Sequence, residues 1–500
     1  MSKSRSPGPD FNDDGIRVSP PKKAAAGLPS IGYAMGPMLR RAGPRRTWRA
    51  SFTMNHTQGF DCPSCAWISE DKPPAIDFCE NGMKSLVSEI DAVSVPAGFW
   101  EENSLSSMLD KSEYWLGRQG RLTEPVYRAR GSDHYEVIDW DRAFGLIADR
   151  LRSLDSPDDA VFYTSGRIMN EPAFLYGLFA REFGTNNLPD CSNLCHEATG
   201  TGMRQSIGVG KSTIGYSDFE RAGLIIVMGQ NPGTNHPRML NALESAKRKG
   251  AEIVGVNPLP EAALLKYRNP QTPRGLAGRG TVISDQFVHI RVGGDQHLLR
   301  AIGKRVLLAE AEAPGTVIDH EFIDTYCEGF EQYREAALAL DDSEVEEATG
   351  LAPGEIDELA GRYIDSDATI ITWALGLTQQ QSAVETITEI MNLLFLKGNI
   401  GRPGAGASPI RGHSNVQGDR TMGIWEQMGD DFLDALQAEF GIKPPRKHGH
   451  DSVRAIDAME QGRVSFFMSM AGNFVAAMSD STRAEQGMRR TGMTVHVSTK

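Results

Sequence analysis

From about residue 119 onward, apolar runs and turn residues divide the chain into short strands alternating with amphipathic helices. Ala160-Val161-Phe162-Tyr163-Thr164 is a run of strand length, and Pro172 to Phe183 repeats apolar residues at helical spacing. Gly223 to Met228 predicts a buried strand, His236 to Lys249 a helix, and Glu252 to Val256 the next strand. A strand–helix–strand unit of this kind implies a parallel sheet. The same alternation returns at Thr369 to Leu375 followed by Gln380 to Leu396, then at Val464 to Met470, and a last strand begins over Thr494 to Ser498. Asp341 to Ile364 reads as one helix with a charged start. Residues 51–118 show little periodicity, and residues 1–50, rich in Pro, Gly and Ser, read as a flexible arm. No repeat of solenoid period is present.

Composition narrows the class. At 500 residues the chain exceeds one ordinary core, and about three domains are expected. A net charge of −13 argues against a nucleic-acid partner, whose phosphates would be repelled. The longest apolar run, Leu224 to Met228, is far short of the roughly 20 residues that span a bilayer, so no membrane insertion is expected. Six cysteines in this length form no disulfide framework, which points to a reducing compartment and a cytoplasmic protein. The first 50 residues hold ten Lys or Arg against three Asp or Glu. Arg40-Arg41 and Arg45-Arg46 lack the apolar segment that a twin-arginine export signal requires.

The candidate chemistry lies at the predicted strand ends, where doubly wound sheets bind nucleotides. Met228-Gly229-Gln230-Asn231-Pro232-Gly233 occupies one such end and Val256-Asn257-Pro258 its neighbour. Either segment alone is explained by turn formation. Arg291-Val292-Gly293-Gly294-Asp295 makes a third loop. The stretch from Gly398 to Gly406 is too glycine-rich for a helix and lets backbone approach a bound group closely. Arg411-Gly412-His413-Ser414-Asn415-Val416-Gln417-Gly418 follows it. Asn193-Leu194-Cys195-His196-Glu197 joins a soft metal ligand to an imidazole, although a single cysteine is more often a small buried apolar group. Cys62, Cys65 and Cys79 fall within 18 positions, a spacing that suits an iron–sulfur cluster, zinc or no metal at all. Cys191 and Cys327 read as structural. His413 reads as an exposed loop histidine, and His448 and His450 as solvated.

In this order the motifs resemble the catalytic subunit of molybdopterin formate dehydrogenases, in the dimethyl-sulfoxide-reductase family, over roughly residues 51–500. The resemblance implies a multi-domain α/β molybdopterin oxidoreductase fold with two doubly wound parallel-sheet domains and a small N-terminal iron–sulfur-type domain. The expected boundaries are 1–50 for the basic arm and 51–118 for the cysteine-containing domain. The first α/β domain takes 119–190 plus 412–500, and a second, pterin-binding one takes 191–411. The implied cofactor is bis(molybdopterin guanine dinucleotide) with molybdenum or tungsten. By resemblance, Cys195 is the protein ligand of the metal, His196 handles protons, and Arg411 binds the substrate carboxylate. Gly229, Asn231, Pro232, Asn257, Pro258, Gly294, Asp295, Gly376, Asn415, Gln417 and Gly418 stand at the family's cofactor-holding positions. Cys62, Cys65 and Cys79 would hold an iron–sulfur cluster of the 4Fe–4S type, and Lys84 would lie between it and the pterin. The match departs from the family at Ser69, roughly where a further cysteine belongs.

The implied reaction is two-electron oxidation of formate to carbon dioxide, with the electrons passed to an acceptor protein. A nitrate-type oxyanion reductase and a non-catalytic fragment with an assembly or stress role are the alternatives. Relatives of this kind continue past the position of Lys500, so a C-terminally truncated subunit is expected.

Overall fold

The computed structural model describes residues 17–70, 73–96 and 98–500. Eight strands build its two main sheets: β1 (Ala160–Thr164), β2 (Leu224–Met228), β3 (Glu252–Asn257), β4 (Gln286–His289), β5 (Thr369–Trp373), β6 (Gly406–Pro409), β7 (Phe466–Met470) and β8 (Met493–Val497). The larger sheet has the order β6-β5-β2-β3-β4 and the smaller one β8-β7-β1. Every pairing within them is parallel. The helices that matter below are α1 (Leu28–Arg41), α2 (Pro44–Thr53), α3 (Glu80–Ile90), α4 (Asn170–Phe183), α5 (Ser192–Cys195), α6 (Glu197–Ile207), α7 (Met239–Arg248), α8 (Asp295–Glu312) and α9 (Ala383–Leu396).

Strand β2 shows why the larger sheet forms. All five of its residues are buried, as expected for a parallel strand covered on both faces. Side chains alternate across the pleat. Leu224, Ile226 and Met228 enter one core with Leu298 and Ile302 of α8 and Ile390 and Leu394 of α9. Ile225 and Val227 enter the opposite core with Leu240 and Leu243 of α7. Each aliphatic side chain buried this way contributes roughly 1.5–3 kcal/mol. In the smaller sheet, Val161 and Tyr163 face Phe467 and Phe474, while Phe162 faces Tyr176 and Phe466.

Two expectations need correction, and one strand was not foreseen. Residues 28–53 are not an extended arm: α1 and α2 pack Ala34, Met38, Ala42 and Ala50 against Met83, Leu86 and Val87 of α3. Arg41 fastens this unit by donating from Nη2 to Asp91 Oδ2 at 2.6 Å. Residues 1–16 of the expected arm lie outside the described residues. The single helix expected over 341–364 is two, Asp342–Thr349 and Pro353–Asp365, because Gly350 turns left-handed at φ 70° and Pro353 starts a new helix. At the end of the glycine-rich stretch, Gly406–Pro409 forms a buried edge strand, β6, which no periodicity announced. Among the described residues, no helix is long and apolar enough to cross a membrane.

Candidate active site

The C-terminal ends of β1, β2, β5 and β6 open onto one cavity of about 490 Å³. Arg167 enters it from the loop after β1, Asn235 and His236 from the segment after β2, Ala374 and Leu375 after β5, and Gly412 and His413 after β6. Cys65, Lys84 and Ser85 close it from the N-terminal unit. A parallel sheet binds ligands at this kind of crevice, and of the residues expected at the site, Cys65 and Lys84 line it directly.

Cys195 ends α5 beside that wall. A Cβ built on Gly412 would lie 3.6 Å from Cys195 Sγ. Burial pushes the thiol up, while the Gly412 amide and the Arg411 charge act the other way and favour the thiolate. Arg411 is 8% exposed. Its Nη1 donates to His196 O at 3.2 Å and its Nη2 to Gly210 O at 2.5 Å, and Nε has no partner among the described residues. Both terminal nitrogens are therefore committed to backbone carbonyls, with the charge set next to Cys195. His236, 2% exposed, donates from Nε2 to Arg411 O at 2.8 Å, which leaves its Nδ1 a buried acceptor without a partner among the described residues.

The structure sets His196 apart from the cavity. Its Nε2 lies 3.0 Å from Ile410 O and its Nδ1 3.0 Å from Thr199 Oγ1. Trp373 Nε1 donates to the same hydroxyl at 3.0 Å. A carbonyl only accepts and an indole only donates, so the chain has one direction. Trp373 gives to Thr199, Thr199 gives to His196 Nδ1, and His196 Nε2 carries the hydrogen given to Ile410. Burial first, then the Arg411 charge, hold the imidazole well below its usual range and keep it neutral. His196 is thus a fixed, neutral ring with both nitrogens engaged. Neither Thr199 nor Trp373 was singled out from sequence, because their partners are remote in the chain.

Behind Cys195 lies a buried ionic group that the sequence reading also missed. Arg420 Nη2 pairs with Asp190 Oδ1 at 2.8 Å and Glu197 Oε2 at 2.6 Å. Asp419 and Glu426 are buried beside them, and one carboxyl oxygen of each lacks a partner among the described residues. Burial, reinforced by the Asp190 charge, raises Asp419 well above the carboxylate range, and burial lifts Glu426 to about 7. Cys191, expected to be structural, is buried, and its Sγ accepts from Gly166 N at 3.1 Å. The same sulfur lies 3.2 Å from His413 Nδ1. His413 is half-buried and lines the cavity, so the expectation of an exposed loop histidine is corrected.

The loop residues expected to hold a cofactor gather at the strand ends, each tied to a neighbour. Asn257 Oδ1 accepts from Gln230 N at 3.0 Å, which joins the ends of β2 and β3 ahead of Pro258. Asn231 caps the turn at Pro232 by accepting from Thr234 N at 3.2 Å. Gly376 N donates to Gly229 O at 3.0 Å, and a Cβ on Gly376 would sit 2.6 Å from Gly229 Cα. Only glycine permits that approach. Asp295 opens α8 after Gly294 and accepts from Gln380 Nε2 at 3.0 Å. Asn415 N donates to Gly166 O at 2.6 Å, and Gln417 and Gly418 continue into the turn Gly418–Thr421.

Cys62, Cys65 and Cys79 converge around the start of α3. A Cβ on Gly82 would lie 2.8 Å from Cys62 Sγ and 3.7 Å from Cys79 Sγ. Burial holds Cys62 up at about 11, Cys79 at about 12 and Cys65 above its usual value, and each of the first two is raised further by neighbouring thiols. Their spacing is not that of a metal-holding set among the described residues, and no fourth cysteine joins them. Lys84 lines the cavity alongside Cys65 and pairs with Glu80.

Residues 121–496 match the model of the family described as molybdopterin oxidoreductase, and the chain belongs to that family. It is 49% identical over 492 residues to an uncharacterized oxidoreductase of Mycobacterium tuberculosis, a match covering 98% of this chain and 63% of the relative. The chain therefore spans under two thirds of the length of that relative. A Staphylococcus aureus protein named as a candidate formate dehydrogenase is 28% identical over 356 residues, 69% of this chain and 34% of its own length. The fold is similar to that of acetylene hydratase from Pelobacter acetylenicus, with a TM-score of 0.58 at 19% identity over 76% of this chain and 53% of that one.

Membership implies a molybdopterin cofactor, and the residues present fit one. His236 Nδ1 is a buried acceptor with no partner among the described residues, Lys84 supplies a cation at the cavity wall, and Cys195 supplies a soft sulfur ligand beside Gly412. The three cysteines near α3 do not by themselves complete an iron–sulfur site.

Proposed function

We propose that this protein is a formate-dehydrogenase-like molybdopterin oxidoreductase, in which formate loses two electrons and a proton to give carbon dioxide. The observation that carries the reading is Cys195. Its sulfur stands beside Gly412 at the strand-end cavity, where burial raises the thiol and the Gly412 amide and the Arg411 charge offset part of that rise. The order of Cys195, His196 and Arg411 in the sequence and the name of the Staphylococcus aureus relative support formate over an oxyanion such as nitrate.

When bound, bis(molybdopterin guanine dinucleotide) with molybdenum or tungsten supplies the two-electron redox chemistry, and the protein supplies orientation and charge. Cys195 ligates the metal. Arg411, fixed by His196 O and Gly210 O, keeps a positive charge against that sulfur. His196, neutral and doubly bonded, holds the turn between α5 and α6 in place. His236 offers Nδ1 to the cofactor. Cys62, Cys65 and Cys79, helped by Lys84, are proposed to hold an iron–sulfur cluster on the way to an electron-acceptor protein. The approach of Cys62 and Cys79 at Gly82 supports this, with a further ligand coming from outside the three cysteines.

The test is formate-dependent reduction of a viologen dye by protein purified anaerobically from cells supplied with molybdate or tungstate. Turnover that disappears in Cys195→Ser is expected. Metal-loaded protein that ignores formate and instead oxidises reduced viologen with nitrate refutes the substrate assignment.

A further inference from the structure

The cavity has a charge pattern that the reading above leaves unused. No Asp or Glu is among its described lining residues. Its cations are Lys84, already paired with Glu80, and Arg167. Arg167 follows β1 at the mouth of the crevice, is exposed, and has no carboxylate partner among the described residues. Its Nη1 donates to Ser85 Oγ at 3.2 Å, which steadies the guanidinium against α3 and leaves most of its five donors free.

His413 lines the same cavity as Arg167 and is joined through Cys191 Sγ to Gly166, the residue before that arginine. Burial first, then the Arg167 charge, keep the His413 imidazole below the usual range and so neutral near pH 7. Burial also keeps the Cys191 thiol protonated. With Gly166 N giving to Cys191 Sγ, the thiol hydrogen turns to His413 Nδ1 at 3.2 Å, and the ring hydrogen belongs on Nε2. Arg411, by contrast, has spent both terminal nitrogens on His196 O and Gly210 O.

We propose that Arg167, with His413 beside it, is the anion-recognition pair of this cavity and takes one oxyanion group through the guanidinium fork and the imidazole N–H. Two sources present such a group: the carboxylate of a small substrate and a phosphate of the cofactor. For a substrate carboxylate the assignment rests on the formate reading. Anion recognition as such does not.

The experiment is calorimetric titration of formate, and separately of inorganic phosphate, into the purified protein and its Arg167→Gln, Arg167→Lys, His413→Gln and Arg411→Lys variants. Metal and pterin per chain are measured on the same preparations. Arg167 is exposed, so its replacement leaves the core intact. For Arg167→Gln, loss of a charge-assisted forked contact is expected to weaken anion binding by roughly tenfold or more. Arg167→Lys should fall between that variant and the parent protein, because it keeps charge without the fork. Weaker formate binding at unchanged cofactor content identifies the substrate as the source. Loss of pterin from the Arg167→Gln preparation identifies the cofactor phosphate, and it does so even if no preparation binds formate, a result that would sink only the formate reading. Unchanged anion affinity together with unchanged cofactor content in Arg167→Gln overturns the proposal, as does a loss confined to Arg411→Lys.

Discussion

Replacing Thr199 with valine tests whether the Trp373–Thr199–His196 chain fixes the ring next to Cys195. The two side chains have nearly the same shape, so the substitution removes a hydroxyl and little else. Trp373 Nε1 and His196 Nδ1 then lose their shared partner at a site where Trp373 is 0% exposed and His196 2%. Each buried polar atom left unpaired costs about 1–3 kcal/mol, or about 2–6 kcal/mol for the two. The added methyl recovers at most about 1 kcal/mol. The expected net loss is about 1–5 kcal/mol, read as a lower urea midpoint at unchanged slope. Thr199→Ser keeps both hydrogen bonds and gives up one methyl, for about 1 kcal/mol. In a Trp373→Phe background the donor is already gone, so Thr199→Val should cost about half as much as in the parent. Equal midpoints for the valine and serine variants would refute the reasoning, since the hydroxyl would then carry no weight.

Gly376→Ala forces a Cβ to within 2.6 Å of Gly229 Cα and should part the ends of β2 and β5. A loss of about 1–3 kcal/mol with reduced pterin content is expected, and a pterin content equal to that of the parent would count against a tight cofactor loop there. Glu426, lifted to about 7 by burial, stays protonated in the fold while the unfolded chain ionises it near 4.5, so it costs stability as pH rises from about 4.5 through 7. Glu426→Gln should therefore stabilise the protein by on the order of 3 kcal/mol at pH 8 and leave it nearly unchanged at pH 4. A midpoint difference that does not vary with pH contradicts this. If Cys62, Cys65 and Cys79 hold a cubane, anaerobically purified protein contains about four iron and four sulfide per chain, lost in Cys62→Ser. Zinc in their place, or no metal, contradicts it.

Much of the α/β framework was legible because parallel strands leave a strong mark. Leu224 to Met228 is apolar at every position, and its neighbours alternate with helices of the right length. The motifs around Asn231, Asn257 and Arg411 fall at or just after the ends of strands β2, β3 and β6, as the alternation predicts, whereas Cys195 ends a short helix. The helices over 28–53 were hidden by composition. Ala34, Met38 and Ala42 repeat every four residues, but Pro29, Pro37 and three nearby glycines mask the pattern, and its partner α3 is remote in sequence. The backbone anchoring of Arg411 was illegible for a similar reason. A sequence shows that an arginine is present but not that backbone carbonyls of His196 and Gly210 occupy its fork. Arg167, Thr199 and Arg420 sit in no motif of their own and acquire meaning only through partners made by the fold.

The central claim, that Cys195 carries a pterin-bound metal, is tested most directly by elemental and nucleotide analysis of the purified protein beside Cys195→Ser. The account predicts about one molybdenum or tungsten per chain with guanine nucleotide released on acid treatment, and a marked loss of metal in the serine variant. Protein that folds with neither metal nor guanine nucleotide after growth on molybdate and tungstate, or a serine variant that keeps its full metal content, would contradict it.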